Sequence, residues 1–193
     1  MEQVKNLVLC GVGGQGTILA SKILSTALVE AGYDVKMSEI HGMSQRGGSV
    51  TTQVRYGKEV ASPIIGKGSA DILVSFEAME AMRYLDTLKP DGTVVVNDYR
   101  MPTATTLAGV QTYPENVIDQ VKAAANTKVM DAAAIAKDLG NPKTMNIVLL
   151  GALVKVMGLE DLDWKKALEA CVKPAFVEIN EKAMEAGMKE VSE

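Results

Sequence analysis

Two short segments of this 193-residue sequence carry residue types and spacings that could do chemistry. The first is Gly11-Val-Gly-Gly-Gln-Gly16, a G-x-G-x-x-G pattern built on Gly11, Gly13, Gly14 and Gly16. Glycines in such a turn let backbone N–H groups approach a phosphate and present it to the positive end of the following helix. Three uses are open to it. A dinucleotide site would need an acid at the end of the second strand for the ribose hydroxyls, a place Glu39 roughly fills. An anion or partner contact would need only the turn, with Gln15 as a further donor, and plain packing of helix on strand would need no ligand. The second segment puts Glu39, His41, Ser44, Gln45 and Arg46 within eight residues, bracketed by Gly42, Gly47 and Gly48, and His41 is the only histidine in the chain. Its plainest reading is a polar turn. So many donors beside glycines are costly to order without something to satisfy them, which points instead to a functional surface. His41 is a candidate proton shuttle and Arg46 a candidate clamp for carboxylate or phosphate.

The elements around these segments read as β-α-β repetition. Lys5–Cys10 is an apolar run of strand length, and Thr17–Ala31 has helical periodicity closed by Gly32. Asp34–Ser38 predicts a second strand, residues 39–48 a loop, and Ser49–Tyr56 a half-exposed strand by its alternation. A strand at Asp71–Phe76, a helix at Glu77–Leu85 and a strand at Thr93–Asn97 follow, the last preceded by the turn Lys-Pro-Asp-Gly. Glu115–Ala125 and Ala132–Leu139 read as helices flanking a short strand at Thr127–Asp131. Met145–Met157 is apolar nearly all round, as expected of a helix buried against the sheet or a partner, with ordinary core the plainer explanation. Helices around Trp164–Val172 and Phe176–Ala186 complete the chain. The expected fold is α/β, a three-layer Rossmann-like open and mostly parallel sheet with helices on both faces and a helical C-terminus, residues 1–193 forming one domain. In such a sheet the loops after the first two strands leave the same carboxyl edge, so both chemical segments should share one surface.

Composition excludes several classes. A net charge of −4, with Lys and Arg interspersed among Asp and Glu, argues against nucleic acid or an anionic membrane as partner. No apolar stretch reaches spanning length, and the N-terminus lacks the apolar region of a signal peptide. Cys10 and Cys171 are the only cysteines, too few and too far apart for a disulfide framework, a CxxC metal site or a four-thiolate cluster. A cytoplasmic setting is expected. There is no Gly-x-Ser-x-Gly elbow for a hydrolase and no Gly-Asp-Gly with a distant Asn-Asn for thiamine diphosphate; Asp91-Gly92 is a turn without that sequel.

Three stretches together, Gly11-Val-Gly-Gly-Gln-Gly-Thr17, Ser38-Glu-Ile-His-Gly-Met-Ser-Gln-Arg-Gly-Gly-Ser-Val50 and Ala70-Asp-Ile-Leu-Val-Ser-Phe-Glu77, resemble the beta subunits of indolepyruvate:ferredoxin oxidoreductases. These form a branch of the gamma-domain family of pyruvate and 2-ketoisovalerate:ferredoxin oxidoreductases, whose other members usually carry tyrosine or proline near the position of His41. The resemblance implies a chain inactive by itself. A larger alpha subunit would carry thiamine diphosphate, magnesium and 4Fe-4S clusters and pass electrons to ferredoxin, with coenzyme A as acyl acceptor. The glycine loop, Glu39, Gln45, Gly47 and Gly48 would then line the shared site with His41 and Arg46. The rival expectations are a free-standing Rossmann-type nucleotide-binding oxidoreductase or sensor, and a subunit whose role is structural.

Overall fold

The computed structural model describes residues 4–41 and 47–191, with backbone alone at 104 and 105. Six strands form one sheet: β1 (Lys5–Val12), β2 (Asp34–His41), β3 (Ser49–Gly57), β4 (Ala70–Ser75), β5 (Leu88–Asn97) and β6 (Asn126–Met130). Their spatial order is β2-β3-β1-β4-β5-β6. β1, β4, β5 and β6 pair in parallel, while β3 runs antiparallel to both β1 and β2. Hence β2 points the same way as β1, and only β3 is reversed.

The sheet is covered on both faces, as its apolar runs require. Leu7 and Leu9 of β1, with Val54, Ile72, Val74 and Val95, pack under α1 (Thr17–Glu30) and the helices α5 (Ala132–Asp138), α6 (Met145–Met157), α7 (Trp164–Cys171) and α8 (Val177–Glu190). The alternate residues Val8 and Cys10, with Leu73, Val94 and Val96, face Ala81 of α2 (Ala78–Tyr84) and Val121 of α4 (Val117–Ala124). The period-two alternation of a strand thus supplies both cores, each fully buried aliphatic side chain contributing roughly 1.5–3 kcal/mol.

Several expectations are adjusted. β3, expected half-exposed, is mostly buried because strands flank it on both sides; β2 is the exposed edge. β2 also runs on to His41, so the first residues expected in a loop are strand. The Lys89–Gly92 turn lies inside β5, where the register against β4 jumps from Ala70↔Leu88 to Ile72↔Thr93. A short α3 (Ala104–Leu107) had no signal in the sequence. The all-round apolar α6 is core, nine of its 13 residues being buried. It meets α8 backbone to backbone: a Cβ on Gly151 would stand 2.0 Å from the Met184 carbonyl oxygen, and one on Gly187 1.8 Å from that of Val148.

At the sheet's other end Tyr33 meets Tyr56 edge to face, ring centres 5.2 Å apart. Burial, with smaller effects from Tyr33 and Asp71, pushes the Tyr56 hydroxyl from 10.0 up to about 12. The folded state therefore prefers the neutral phenol; this preference stabilises fully below pH 10.0 and is lost as pH rises through about 12. In an alkaline titration followed by tyrosinate absorbance and circular dichroism, Tyr56 should ionise only with loss of structure. Ionisation of all five tyrosines together, with the fold intact, would contradict this.

Candidate functional site

The glycine turn is shaped from within by Gln15. Its Oε1 accepts from Val12 N at 2.7 Å, and its Nε2 donates to the Phe76 carbonyl at 2.9 Å. Gln15 is buried, so its amide is spent on holding the turn against the end of β4 rather than turned outward as a donor. Asn97 Nδ2 also reaches Phe76 O, at 3.2 Å, while its Oδ1 accepts from Ala132 N, which ties the ends of β4 and β5 to α5. Gly11 lies close against Gln15, Phe76 and Thr17, so it is a packing glycine. Gly14 (φ 105°) and Gly16 (φ 83°) instead meet a conformational demand in the left-handed region. Gly16 is the N-cap of α1 and offers no side-chain cap, which leaves the first N–H groups of that helix open to whatever lies before them.

Strand order explains how the second segment arrives there. β3 starts at Ser49 opposite Val12, and its Val50 lies opposite His41. The two loops are then bonded to each other: Gly13 N donates to Gly48 O at 2.8 Å, and Gly47 N donates to Gly13 O at 3.2 Å. Between them lies a cavity of ≈ 370 Å³ lined by Gly13, Gly14, Gly16, Thr17, Ile18, Glu39, His41 and Val50. Glu39 and His41, alternate residues of β2, stand on one face of that strand and are exposed. Gln45 and Arg46, together with Gly42 and Ser44, lie outside the described residues.

Glu39 is not placed as in a dinucleotide fold. There the acid-bearing strand is the immediate parallel neighbour of the first. Here Glu39 pairs with Thr52, which pairs with Leu9, so β3 separates it from β1. The free-standing nucleotide reading loses its geometric support.

Two carboxylates that composition and spacing did not single out stand beneath the loops. Glu80 is buried; its Oε2 accepts from the Ser49 hydroxyl at 2.5 Å and its Oε1 from Arg83 Nε at 3.1 Å, which anchors the residue where the second loop re-enters the sheet. Glu77, 1% exposed, caps α2 through Glu80 N at 3.0 Å. It also accepts from Tyr113 OH at 2.5 Å and Met101 N at 3.1 Å, fastening the 98–116 segment to the sheet edge. Burial, then the bond to Glu77, holds the Tyr113 hydroxyl above its ordinary range. The only sequence signal for Glu77 was a Ser-Phe-Glu step from a buried strand into a helix, the position of an N-cap.

Cys10 lies inside the sheet, its Sγ 3.3 Å from Ser75 Oγ, and burial pushes its thiol up, away from the reactive thiolate. Among the described residues no group of three or more His, Cys, Asp or Glu side chains is arranged to hold a metal ion. No helix among them is long and apolar enough to cross a membrane.

Residues 6–190 match the pyruvate ferredoxin/flavodoxin oxidoreductase family. The chain belongs to that family. It is similar to the indolepyruvate oxidoreductase subunit IorB of Pyrococcus horikoshii, with 40% identity over 97% of this chain and 96% of that one. The IorB subunit of Thermococcus kodakarensis is 38% identical, with the same shares covered. Among solved structures, the gamma subunit of a keto/oxoacid ferredoxin oxidoreductase from Geobacter sulfurreducens superimposes with a TM-score of 0.72 at 26% identity, covering 97% of this chain and 98% of its own. The chain is a subunit of the 2-oxoacid:ferredoxin oxidoreductase family.

Proposed function

We propose that this chain is the small, cluster-free subunit of an indolepyruvate-type 2-oxoacid:ferredoxin oxidoreductase, a single gamma-type domain over residues 1–193 working in the cytoplasm. A larger subunit would hold thiamine diphosphate, magnesium and the 4Fe-4S clusters. The pair would decarboxylate an aryl 2-oxoacid oxidatively, transfer the acyl group to coenzyme A and reduce ferredoxin. The observation carrying this reading is the pair of Gly13–Gly48 and Gly47–Gly13 bonds, which make the glycine loop and the His41 loop one surface at the carboxyl edge.

That surface suits part of an anionic ligand held against a partner better than a whole cofactor. The ≈ 370 Å³ cavity sits before the uncapped N-terminus of α1, whose open N–H groups favour an anion. Coenzyme A is larger than this space, so only a section of it would lie here, with His41 approaching from the end of β2. The cytoplasmic setting agrees with two free cysteines and the absence of a long apolar helix among the described residues.

The test is anaerobic, indolepyruvate-dependent viologen reduction in the presence of coenzyme A, comparing this chain, a cluster-bearing partner and the two together. Activity is expected only in the mixture, and a partner fully active alone refutes the assignment. With His41 and Arg46 both replaced by Ala, turnover or apparent affinity for coenzyme A should fall at least about tenfold, ~1.4 kcal/mol, while the complex still elutes as one species.

A further inference from the structure

The helix α2 turns one face toward the point where the second loop re-enters the sheet. Glu80, Arg83 and Tyr84 share that face, three and four residues apart, and form one bonded group with Ser49. The direction of each bond follows from what each group can give. A carboxylate only accepts, so the single Ser49 hydroxyl proton goes to Glu80 Oε2, at 2.5 Å. Tyr84 OH, 3.2 Å from the same Ser49 oxygen, is then the donor there. Arg83 Nε donates to the other Glu80 oxygen at 3.1 Å.

The helix is a firm base for this group. Ala81 is buried with Val8 and Cys10 of β1, and Cys10 Sγ donates to the Glu80 carbonyl at 3.5 Å. The buried Glu80 carboxylate is therefore fixed relative to β1, the strand in which Val12 pairs with Ser49. The next two residues back, Gly48 and Gly47, bond to Gly13 through the main chain. Neither glycine has a side chain by which anything else could hold it. Among the described residues, Ser49 thus carries the side-chain bonds at this junction.

Alternation along β3 separates this group from the glycine-loop cavity. Val50 lines the cavity, whereas Ser49 points to the opposite face of the sheet, toward α2. Neither Ser49 nor Glu80 lines the space. We infer that Glu80 is a positioning residue of the two-loop surface. By holding Ser49 from behind, it fixes where the second loop leaves the sheet, and with that the spacing of the cavity walls, while touching no ligand itself. Which ligand depends on that spacing rests on the function proposed above; the placement of the loop does not.

Hydrogen exchange of the full chain, read at single amides, tests this. Glu80→Ala should quicken exchange at Gly13 and Gly47 at least about tenfold, as loss of a hydrogen bond to a charged group warrants. Ser49→Ala should do the same, and the double variant should add less than about twofold beyond either alone, because both changes remove one interaction. Glu80→Gln keeps an oxygen and a donor at the same reach and should return both amides to within about twofold of the parent. A role in overall stability alone would instead quicken Val95, fully buried in mid-sheet, and leave the locally opening Gly13 and Gly47 as they were. In the complex with the large subunit, Glu80→Ala should raise KM for coenzyme A several-fold and move kcat much less. Parental exchange at Gly13 and Gly47, single effects that multiply in the double variant, or a fall in kcat at unchanged KM each overturns the proposal. A complex inactive with indolepyruvate would undo the functional reading and leave the exchange result to decide the role of Glu80.

Discussion

Gly187→Ala is expected to destabilise the chain by about 3–5 kcal/mol, a large share of the stability of an ordinary domain. Helix propensity alone predicts the opposite sign, since Ala is favoured over Gly in a helix interior by about 1 kcal/mol. Contact decides it. The new methyl carbon would stand 1.8 Å from the Val148 carbonyl oxygen and 3.0 Å from Ala152 N, both backbone atoms that no rotamer can move. The α6–α8 pair must separate, opening the seam around Leu149, Leu153 and Met184, so the cost exceeds the ~1–3 kcal/mol usual for overpacking. In thermal melts the variant should lose roughly 10 °C or more, whereas Lys189→Ala, an exposed change on the same helix, should stay within ~0.5 kcal/mol. A Gly187→Ala protein as stable as the parent would mean that the two backbones are not in contact.

Glu77→Ala should be nearly as damaging, by about 3 kcal/mol, for a different reason. One carboxylate caps α2, which alone is worth about 1 kcal/mol, and accepts from Tyr113 and Met101 besides. Removing it leaves these donors without their acceptor, at roughly 1–3 kcal/mol for each that stays buried. The loss is local as well as global. Arg100, which stacks over the Tyr113 ring at 5.7 Å, lies on the segment that Glu77 fastens, so tryptic cleavage after Arg100 should quicken well before the rest of the chain unfolds. Glu77→Gln keeps an acceptor oxygen for the cap and should fall between the two. Cleavage at Arg100 at the parental rate in Glu77→Ala would show that the segment is held by other contacts.

How far the fold was legible depends on the range of the interactions that set it. β1, α1 and α6 follow from local pattern: a buried apolar run, helical periodicity behind a glycine turn, and a stretch apolar on every side. The position of β3 does not. Ser49–Tyr56 alternates as an edge or half-exposed strand would, and nothing in its residues says that it inserts between β1 and β2, since strand order is settled by pairing between distant segments. Glu39 was therefore credible as a ribose acid by chain position while standing one strand too far away. Convergence of the two loops was legible, because it needs only that β1 and β2 point the same way. The inward turn of Gln15, and the support given by Glu77 and Glu80, were not. A buried carboxylate and a solvated one look alike in sequence until the groups that bond them are known.

The reversed strand has one more consequence. Residues 41 and 49 are each held in a ladder, His41 against Val50 and Ser49 against Val12, and Gly47 and Gly48 are bonded to Gly13. The stretch between these anchors is bounded at both ends by contacts made through the main chain, which are indifferent to the side chains in between. The pairing of β1, β2 and β3 on either side of it is therefore set by main-chain bonds and not by those side chains.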